Sequence, residues 1–126
     1  MSEAAPEIVI LEATPLEPRR LADLVATWFE DMVKYVVDVD RGVAAVGGEM
    51  HADAEALLLE AGSHQADLWG ANYYPGRGEA ECIEYTSLIN IRPAQGHRSM
   101  ELQDEPLRAR LREITFRLIG RGEPLP

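Results

Sequence analysis

A chain of 126 residues, of which 46% are hydrophobic, is long enough for one domain with a buried core and too short for two. Its formal charge of −10 argues against general binding to nucleic acid, because an acidic surface repels phosphate groups. The single cysteine excludes an internal disulfide. The sequence shows no signal-peptide pattern and no apolar run of about twenty residues. Together with the single cysteine, these features predict a cytoplasmic protein without membrane association.

The charge is unevenly distributed along the chain. Residues 1–91 carry five basic and seventeen acidic groups, whereas residues 92–126 carry seven basic and five acidic groups. The favoured interpretation is an arginine-rich, solvated helix that lies on an acidic sheet, and the alternative is a dedicated anion site.

The first half of the chain predicts a strand, a helix and a further strand. Residues 1–6 are expected to form a disordered tail, and the apolar run EIVILEA at 7–13 indicates a buried strand. From Leu21 to Met32 apolar residues recur every three or four positions, which predicts an amphipathic helix that buries Trp28. The run YVVDVD at 35–40 predicts the second strand, followed by a tight turn at 40–42 and residues 43–46.

Residues 50–63 are compatible with two structures. Their alanine content and the closing Gly62 favour a short helix. The alternation of apolar and polar residues from Met50 to Glu55 favours a strand, which we prefer because no apolar partner for a helix is evident. The next strand is predicted at 67–74, with Trp69 and Tyr73 on one face.

The most regular alternation in the chain is CIEYTSLINIRP at 82–93. A period of two places Ile83, Ile89 and Ile91 on one face and Asn90 and Arg92 on the other, which predicts a long central antiparallel strand around which the domain is organised. The last helix is predicted to begin at Asp104, to carry an apolar stripe from residue 107 to residue 119, and to end at Gly120.

Together these elements predict an α+β fold over residues 7–120, followed by a C-terminal tail at 121–126. The expected architecture is a two-layer, mainly antiparallel sheet of about five strands with two amphipathic helices on one face. The other sheet face is expected to be polar, with Leu68, Tyr74 and Leu88 among the polar groups. Apolar groups in such a face indicate cover by a loop or by a second subunit.

Three sequence blocks are distinctive. They are GGEMHADAE at 47–55, DLWGAN at 67–72 and SLINIRP at 87–93. In this order the blocks resemble a small bacterial protein family of unknown function, over about residues 35–120. The resemblance supports a single domain and implies no activity, cofactor or catalytic residue.

One group of candidate ligand-binding side chains lies in the ambiguous segment. On a strand, His51, Asp53 and Glu55 would project from one face, and the spacing of His51 and Asp53 together with a later His97 resembles part of an iron(II) site. The favoured alternative is a polar outward face, because such short motifs arise often by chance. His51 and Asp53 are the candidate metal ligands.

A second group lies around the predicted central strand. The group that could bind a carboxylate or phosphate consists of Asn90, Arg92, Gln95, Arg98 and Ser99. Asn72 lies on the same predicted sheet face and is a further candidate ligand-binding residue. The favoured alternative is an internal role in which Arg92 pairs with acidic groups across strands while Asn90 bonds loop backbone.

These patterns predict a small cytoplasmic binding or protein-interaction module without a recognisable catalytic residue or cofactor. The expected partner is a second copy of the chain, bound through the polar sheet face, and a protein partner or a small anion is also considered. The alternative is a small enzyme or a metal- or anion-ligand binder that uses His51, Asp53 and Glu55 with Asn90 and Arg92.

Overall fold

The computed structural model describes residues 8–126 and is built on a five-stranded antiparallel sheet. The spatial order of the strands is β1-β3-β2-β4-β5. Their bounds are β1 (Val9–Leu11), β2 (Val33–Asp38), β3 (Val43–Val46), β4 (Leu68–Tyr73) and β5 (Ile83–Glu84). The predicted α+β class and the number of strands are confirmed, and the tail predicted at 1–6 lies outside the described residues.

Three helices accompany the sheet: α1 (Pro18–Trp28), α2 (His51–Glu60) and α3 (Glu105–Leu118). The α3 helix begins as predicted, because the side chain of Asp104 accepts a hydrogen bond from the backbone N–H of Leu107 at 3.0 Å. The α1 helix ends at Trp28, before the predicted end at Met32. Two residues later, Glu30 adopts a φ of 71°, which is not a helical value. No helix within residues 8–126 is both long and apolar enough to cross a membrane.

The sheet is covered on both faces. Buried residues of α1 and α3 share the larger core cluster with sheet residues such as Tyr35, Val37 and Tyr73. The α2 helix belongs to a second cluster, which contains Val36 and Leu68 of the sheet. Since neighbouring residues of a strand point to opposite faces, α2 lies on the face that the sequence predicted to be polar, with cover from a loop or a second subunit. The cover is instead a helix of the same chain.

The segment at 51–60 is a helix, so the preferred prediction of a strand is wrong. Ala54 and Leu58, four residues apart, are buried against the sheet, so the alternation from Met50 to Glu55 does not describe its packing. Gly62 ends the helix with a φ of 105°, and the backbone N–H of Ser63 donates to the carbonyl of Leu58 at 2.9 Å. The apolar surface against which the helix packs was not evident from the sequence, because its residues Val36, Ala45 and Leu68 lie on three separate strands.

The prediction of a long central strand at 82–93 is also wrong. Only Ile83 and Glu84 pair with β4, and they form an edge strand of the sheet. The chain then enters a 3₁₀ turn at Leu88–Asn90, here called the Leu88 turn, and a second 3₁₀ turn at Pro93–Gln95. The Leu88 turn begins where the Ser87 hydroxyl accepts a hydrogen bond from the Ile89 N–H at 3.2 Å, which favours a turn over an extended chain.

Hydrogen bonds fix the turn after β2 and the C-terminal residues of the chain. At the turn predicted after β2, the buried carboxylate of Asp38 accepts from the N–H groups of Asp40 and Arg41, each at 2.9 Å. The predicted C-terminal tail folds back on the sheet, where the N–H of Gly122 donates to the hydroxyl of Tyr73 at 2.8 Å. Residues 121–126 are therefore bonded to the rest of the domain.

Candidate functional site at the junction of β4, α2 and the Leu88 turn

Gly70, in the middle of β4, is the point where three segments meet. A Cβ atom added to Gly70 would lie 2.7 Å from the hydroxyl oxygen of Ser87 and 3.1 Å from Cδ2 of His51. Contacts as short as the first do not occur between real side chains, so only glycine allows both segments to approach β4 this closely. The junction contains the central residues of the three distinctive sequence blocks.

Asn90 attaches the Leu88 turn to the strand. Its side chain is fully buried, and its Oδ1 accepts a hydrogen bond from the N–H of Gly70 at 2.9 Å. Its Nδ2 donates to the carbonyls of Gly70 at 3.0 Å and of Met100 at 3.1 Å. The amide side chain therefore pairs with β4 as the peptide group of a neighbouring strand would. Its polar atoms are engaged by backbone, as the internal alternative predicted.

His51 is the first residue of α2 and packs beside the same strand. It is 8% exposed, and its Nε2 lies 2.9 Å from the carbonyl oxygen of Ala71. Because a carbonyl only accepts, Nε2 must carry the proton and Nδ1 is the acceptor in the neutral ring. Burial lowers the pKa of His51 below 6.5, and the positive charge of Lys34 acts in the same direction, while the bond to Ala71 opposes them.

The lowered pKa of His51 predicts that acidification destabilises the protein. Below about pH 6.5 the unfolded chain takes up a proton that the folded ring resists, so unfolding becomes more favourable, by at most about 1.4 kcal/mol per pH unit. Above that pH the ring is neutral in both states and this contribution is constant. Urea unfolding between pH 5 and 8 should show the slope, and a His51→Gln variant should show less of it.

His64, an exposed residue, provides the matched control. A His64→Gln variant should retain the pH dependence of the original chain, because it removes an exposed imidazole and leaves His51 in place. Equal slopes for the His51→Gln variant and the original chain would contradict the assignment.

Asn72 lies in a row of polar residues that crosses the sheet next to the junction. Lys34 and Glu84 are its partners in the neighbouring strands. Its Nδ2 donates to a carboxylate oxygen of Glu84 at 2.8 Å, and Glu84 also accepts from the hydroxyl of Tyr74 at 3.2 Å. The Oδ1 atom of Asn72 is buried and has no hydrogen-bond partner within residues 8–126.

The other members of the first predicted group are dispersed. Residues two apart on a helix point in nearly opposite directions, so Asp53 is exposed whereas His51 is buried and Glu55 is half-buried. The expectation that these three side chains share one face is therefore wrong. In the described part of the chain, no grouping of three or more histidine, cysteine or acidic side chains could hold a metal ion.

Arg92 has an internal role, although its partners differ from those predicted. Its guanidinium lies 4.0 Å from the ring centre of Trp69, which it contacts in a cation–π arrangement. Its Nε donates to the carbonyl of Ile89 at 3.0 Å, one terminal nitrogen donates to Gln65 at 2.6 Å, and the other bonds the carbonyl of Leu68. Backbone carbonyls thus replace the expected carboxylates.

Arg98 is separate from this arrangement. It is exposed in the loop before α3 and lines a shallow cavity of about 230 Å³ with His97 and Gln103. The structure therefore brings His51, Asn72 and Asn90 to β4, places Arg92 beside Trp69, and leaves Arg98 in solvent.

The same segments expose large apolar side chains, which the alternation at 82–93 did not predict to be exposed together. Leu88 is 68% exposed, Ile91 is 41% exposed and Met100 is 43% exposed. Hydrogen bonds join the two segments, because the N–H of Ser87 donates to the carbonyl of Met100 at 3.0 Å and the side-chain amide of Asn90 donates to the same carbonyl at 3.1 Å. We call Leu88, Ile91 and Met100 the Leu88 patch. Turn-forming residues such as Ser87 and Pro93 were the signal that the strand pattern is interrupted here.

Comparison with known proteins agrees with the resemblance at the level of the family. A family model described as a protein of unknown function (DUF5674) matches residues 9–118, a range that contains all five strands, α1, α2, α3 and the junction. No curated protein and no solved structure matches the chain. Since the match covers most of the sequence, the chain belongs to the DUF5674 family, whose function is unknown.

Proposed function

We propose that this protein is a small binding module that forms a homodimer through the Leu88 patch. The observation that carries the proposal is the 68% exposure of Leu88 in a turn that is held rigidly by internal hydrogen bonds. Exposed apolar patches mark interaction sites, because leaving such groups in water is unfavourable.

The rigidity of the turn supports binding. Asn90 and Arg92 fix the backbone on both sides of Ile91, so presenting the apolar side chains requires little further ordering on association. Met100 adds a flexible side chain that adapts to a facing surface.

A second copy of the chain is the partner that the chemistry of the patch favours. Closed dimers place the same surface on both subunits, so the surface must be compatible with itself. The Leu88 patch consists of uncharged residues in a chain with a net charge of −10, so it can face its own copy without like-charge repulsion from its members. The sheet face through which the sequence predicted dimer formation is covered by α2. Leu88 belonged to that predicted face and is also a member of the Leu88 patch.

We also propose that the module works in the cytoplasm. Cys82 is a free, buried cysteine, and burial raises the pKa of its thiol. A buried thiol with a raised pKa is a weak nucleophile, which supports a structural role in a reducing compartment.

A Leu88→Glu variant is expected to dissociate the dimer. Each dimer would lose two copies of this apolar contact and gain two charges, so the dissociation constant should rise about 30-fold or more. Sedimentation equilibrium across micromolar concentrations measures the change, and circular dichroism verifies that the variant is folded.

Leu59 provides the control, because it is 42% exposed on α2 and lies outside the Leu88 patch. Leu59→Glu should leave the dissociation constant within about twofold of the original value, as expected for a surface change outside an interface. An original chain that sediments only as a monomer, or a Leu88→Glu variant that associates normally, contradicts the proposal.

A further inference from the structure

We propose that a groove between β5 and α3 binds a small organic anion with an apolar body. The groove encloses about 470 Å³, and its lining includes Ile83, Tyr85, Arg108, Arg112 and Phe116. A volume of this size lies in the range of small-molecule sites, which combine apolar walls with a few polar groups. The groove shares no residue with the Leu88 patch, so this proposal stands apart from the proposed dimer.

The first cationic group is held in place before any ligand binds. The guanidinium of Arg108 lies 4.4 Å from the ring centre of Tyr85, and its Nε donates to the carbonyl of Leu102 at 2.6 Å. A terminal nitrogen of Arg108 also contacts a carboxylate oxygen of Glu101 at 3.1 Å, which partly compensates its charge. Arg108 therefore shapes the wall and orients Tyr85.

Arg112 supplies the uncompensated charge. It follows Arg108 by one turn of α3, so the two side chains lie on the same side of the helix. It is exposed, its Nη1 lies 3.5 Å from the hydroxyl oxygen of Tyr85, and no carboxylate within residues 8–126 forms an ion pair with it. The guanidinium fork of Arg112 is thus available to an oxyanion at the mouth of the groove.

The remaining lining favours a ligand with an apolar body. Ile83 and Phe116 contribute aliphatic and aromatic surface, which an inorganic ion cannot use. The acidic residue of the lining, Glu79, is paired with Arg121 at 3.0 Å, and Arg121 also lies 5.2 Å from the ring centre of Phe116. Glu79 is therefore already paired with a cation, and the ligand class is a carboxylate or phosphate monoester attached to an aryl or alkyl group.

Titration of the full chain with phenyl phosphate, benzoate, inorganic phosphate and phenol, followed by amide NMR shifts, tests this assignment. Phenyl phosphate or benzoate should cause saturable shifts at Tyr85, Arg112 and Phe116, and which of them binds identifies the oxyanion. An Arg112→Gln variant should weaken that binding about tenfold or more, because a charge-assisted hydrogen bond is lost. The control is Arg19→Gln, which removes an exposed arginine on α1 and should leave binding unchanged.

Four results would overturn the proposal. They are the absence of saturable shifts with both aryl anions, equally tight binding of inorganic phosphate, equally tight binding of phenol, and unchanged binding by the Arg112→Gln variant. Inorganic phosphate tests the apolar body and phenol tests the oxyanion, so each part of the ligand class is examined separately. None of these results depends on whether the chain is a dimer, which sedimentation decides independently.

Discussion

Replacing Asn90 by alanine is expected to lower the free energy of unfolding by about 4 kcal/mol, the largest effect of a single substitution at the junction. Asn90 is fully buried, and its loss leaves the N–H and the carbonyl of Gly70 without this partner, whereas the carbonyl of Met100 keeps the N–H of Ser87. Each buried polar group left unpaired costs about 1–3 kcal/mol. Chemical denaturation monitored by fluorescence measures the change.

An Asn90→Asp variant separates the hydrogen bonds from the packing. Aspartate keeps the acceptor for the N–H of Gly70 but turns the donor toward the carbonyls of Gly70 and Met100 into an acceptor. The buried carboxyl should therefore have a pKa above its ordinary value, and acidification should restore part of the stability as the protonated form donates again. The exposed Gln103→Ala variant is the control and should change stability by less than about 0.5 kcal/mol. A loss below about 1 kcal/mol for Asn90→Ala contradicts the role given to this side chain.

Gly70→Ala is expected to lower the free energy of unfolding by about 3 kcal/mol, the upper part of the range for overpacking a core. The added Cβ would lie 2.7 Å from the Cβ and Oγ atoms of Ser87, and His51 closes the space on the α2 side at 3.1 Å. Either the Leu88 turn or α2 must then move away from β4. Thermal and denaturant unfolding should both show the loss.

Removing the opposing side chain should relieve this strain. In a Gly70→Ala, Ser87→Gly double variant the contact at 2.7 Å disappears, so the double variant should be more stable than the sum of the two single changes by about 1 kcal/mol or more. The Ser87→Gly single variant is the reference, because it removes the bond from the Ile89 N–H on its own. Additive effects would show that Ser87 does not limit the approach of the turn to β4.

Local patterns predicted the elements whose burial follows their own periodicity. The alternation of Trp69 and Tyr73 with Leu68 assigned the two faces of β4 correctly, because both faces of this strand pack on cores. The cap at Asp104 and the apolar stripe behind it likewise defined α3. In these elements the residues that specify the structure are close together in the sequence.

Residues 82–93 do not form the strand that their alternation predicts, and the physical cause is visible at Asn90. Its side chain occupies backbone groups of β4 that a continuing strand would have used, so the chain turns after Glu84 although its apolar residues still alternate. The exposure of Ile91 at 41% and the burial of Asn90 invert the predicted faces. A period of two indicates which residues alternate between faces. It does not indicate whether a neighbouring strand has free hydrogen-bonding groups with which an extended segment could pair.

The sequence by itself determined the α+β class, the presence of β2 and β4, and two of the helices, since these depend on short-range periodicity and capping. Only the tertiary structure decided that residues 51–60 form a helix, because the apolar surface under Ala54 and Leu58 is assembled from Val36, Ala45 and Leu68 on three different strands. It also decided that His51 and Asn90 meet at Gly70. That meeting depends on the close approach of segments distant in sequence, which no local pattern encodes.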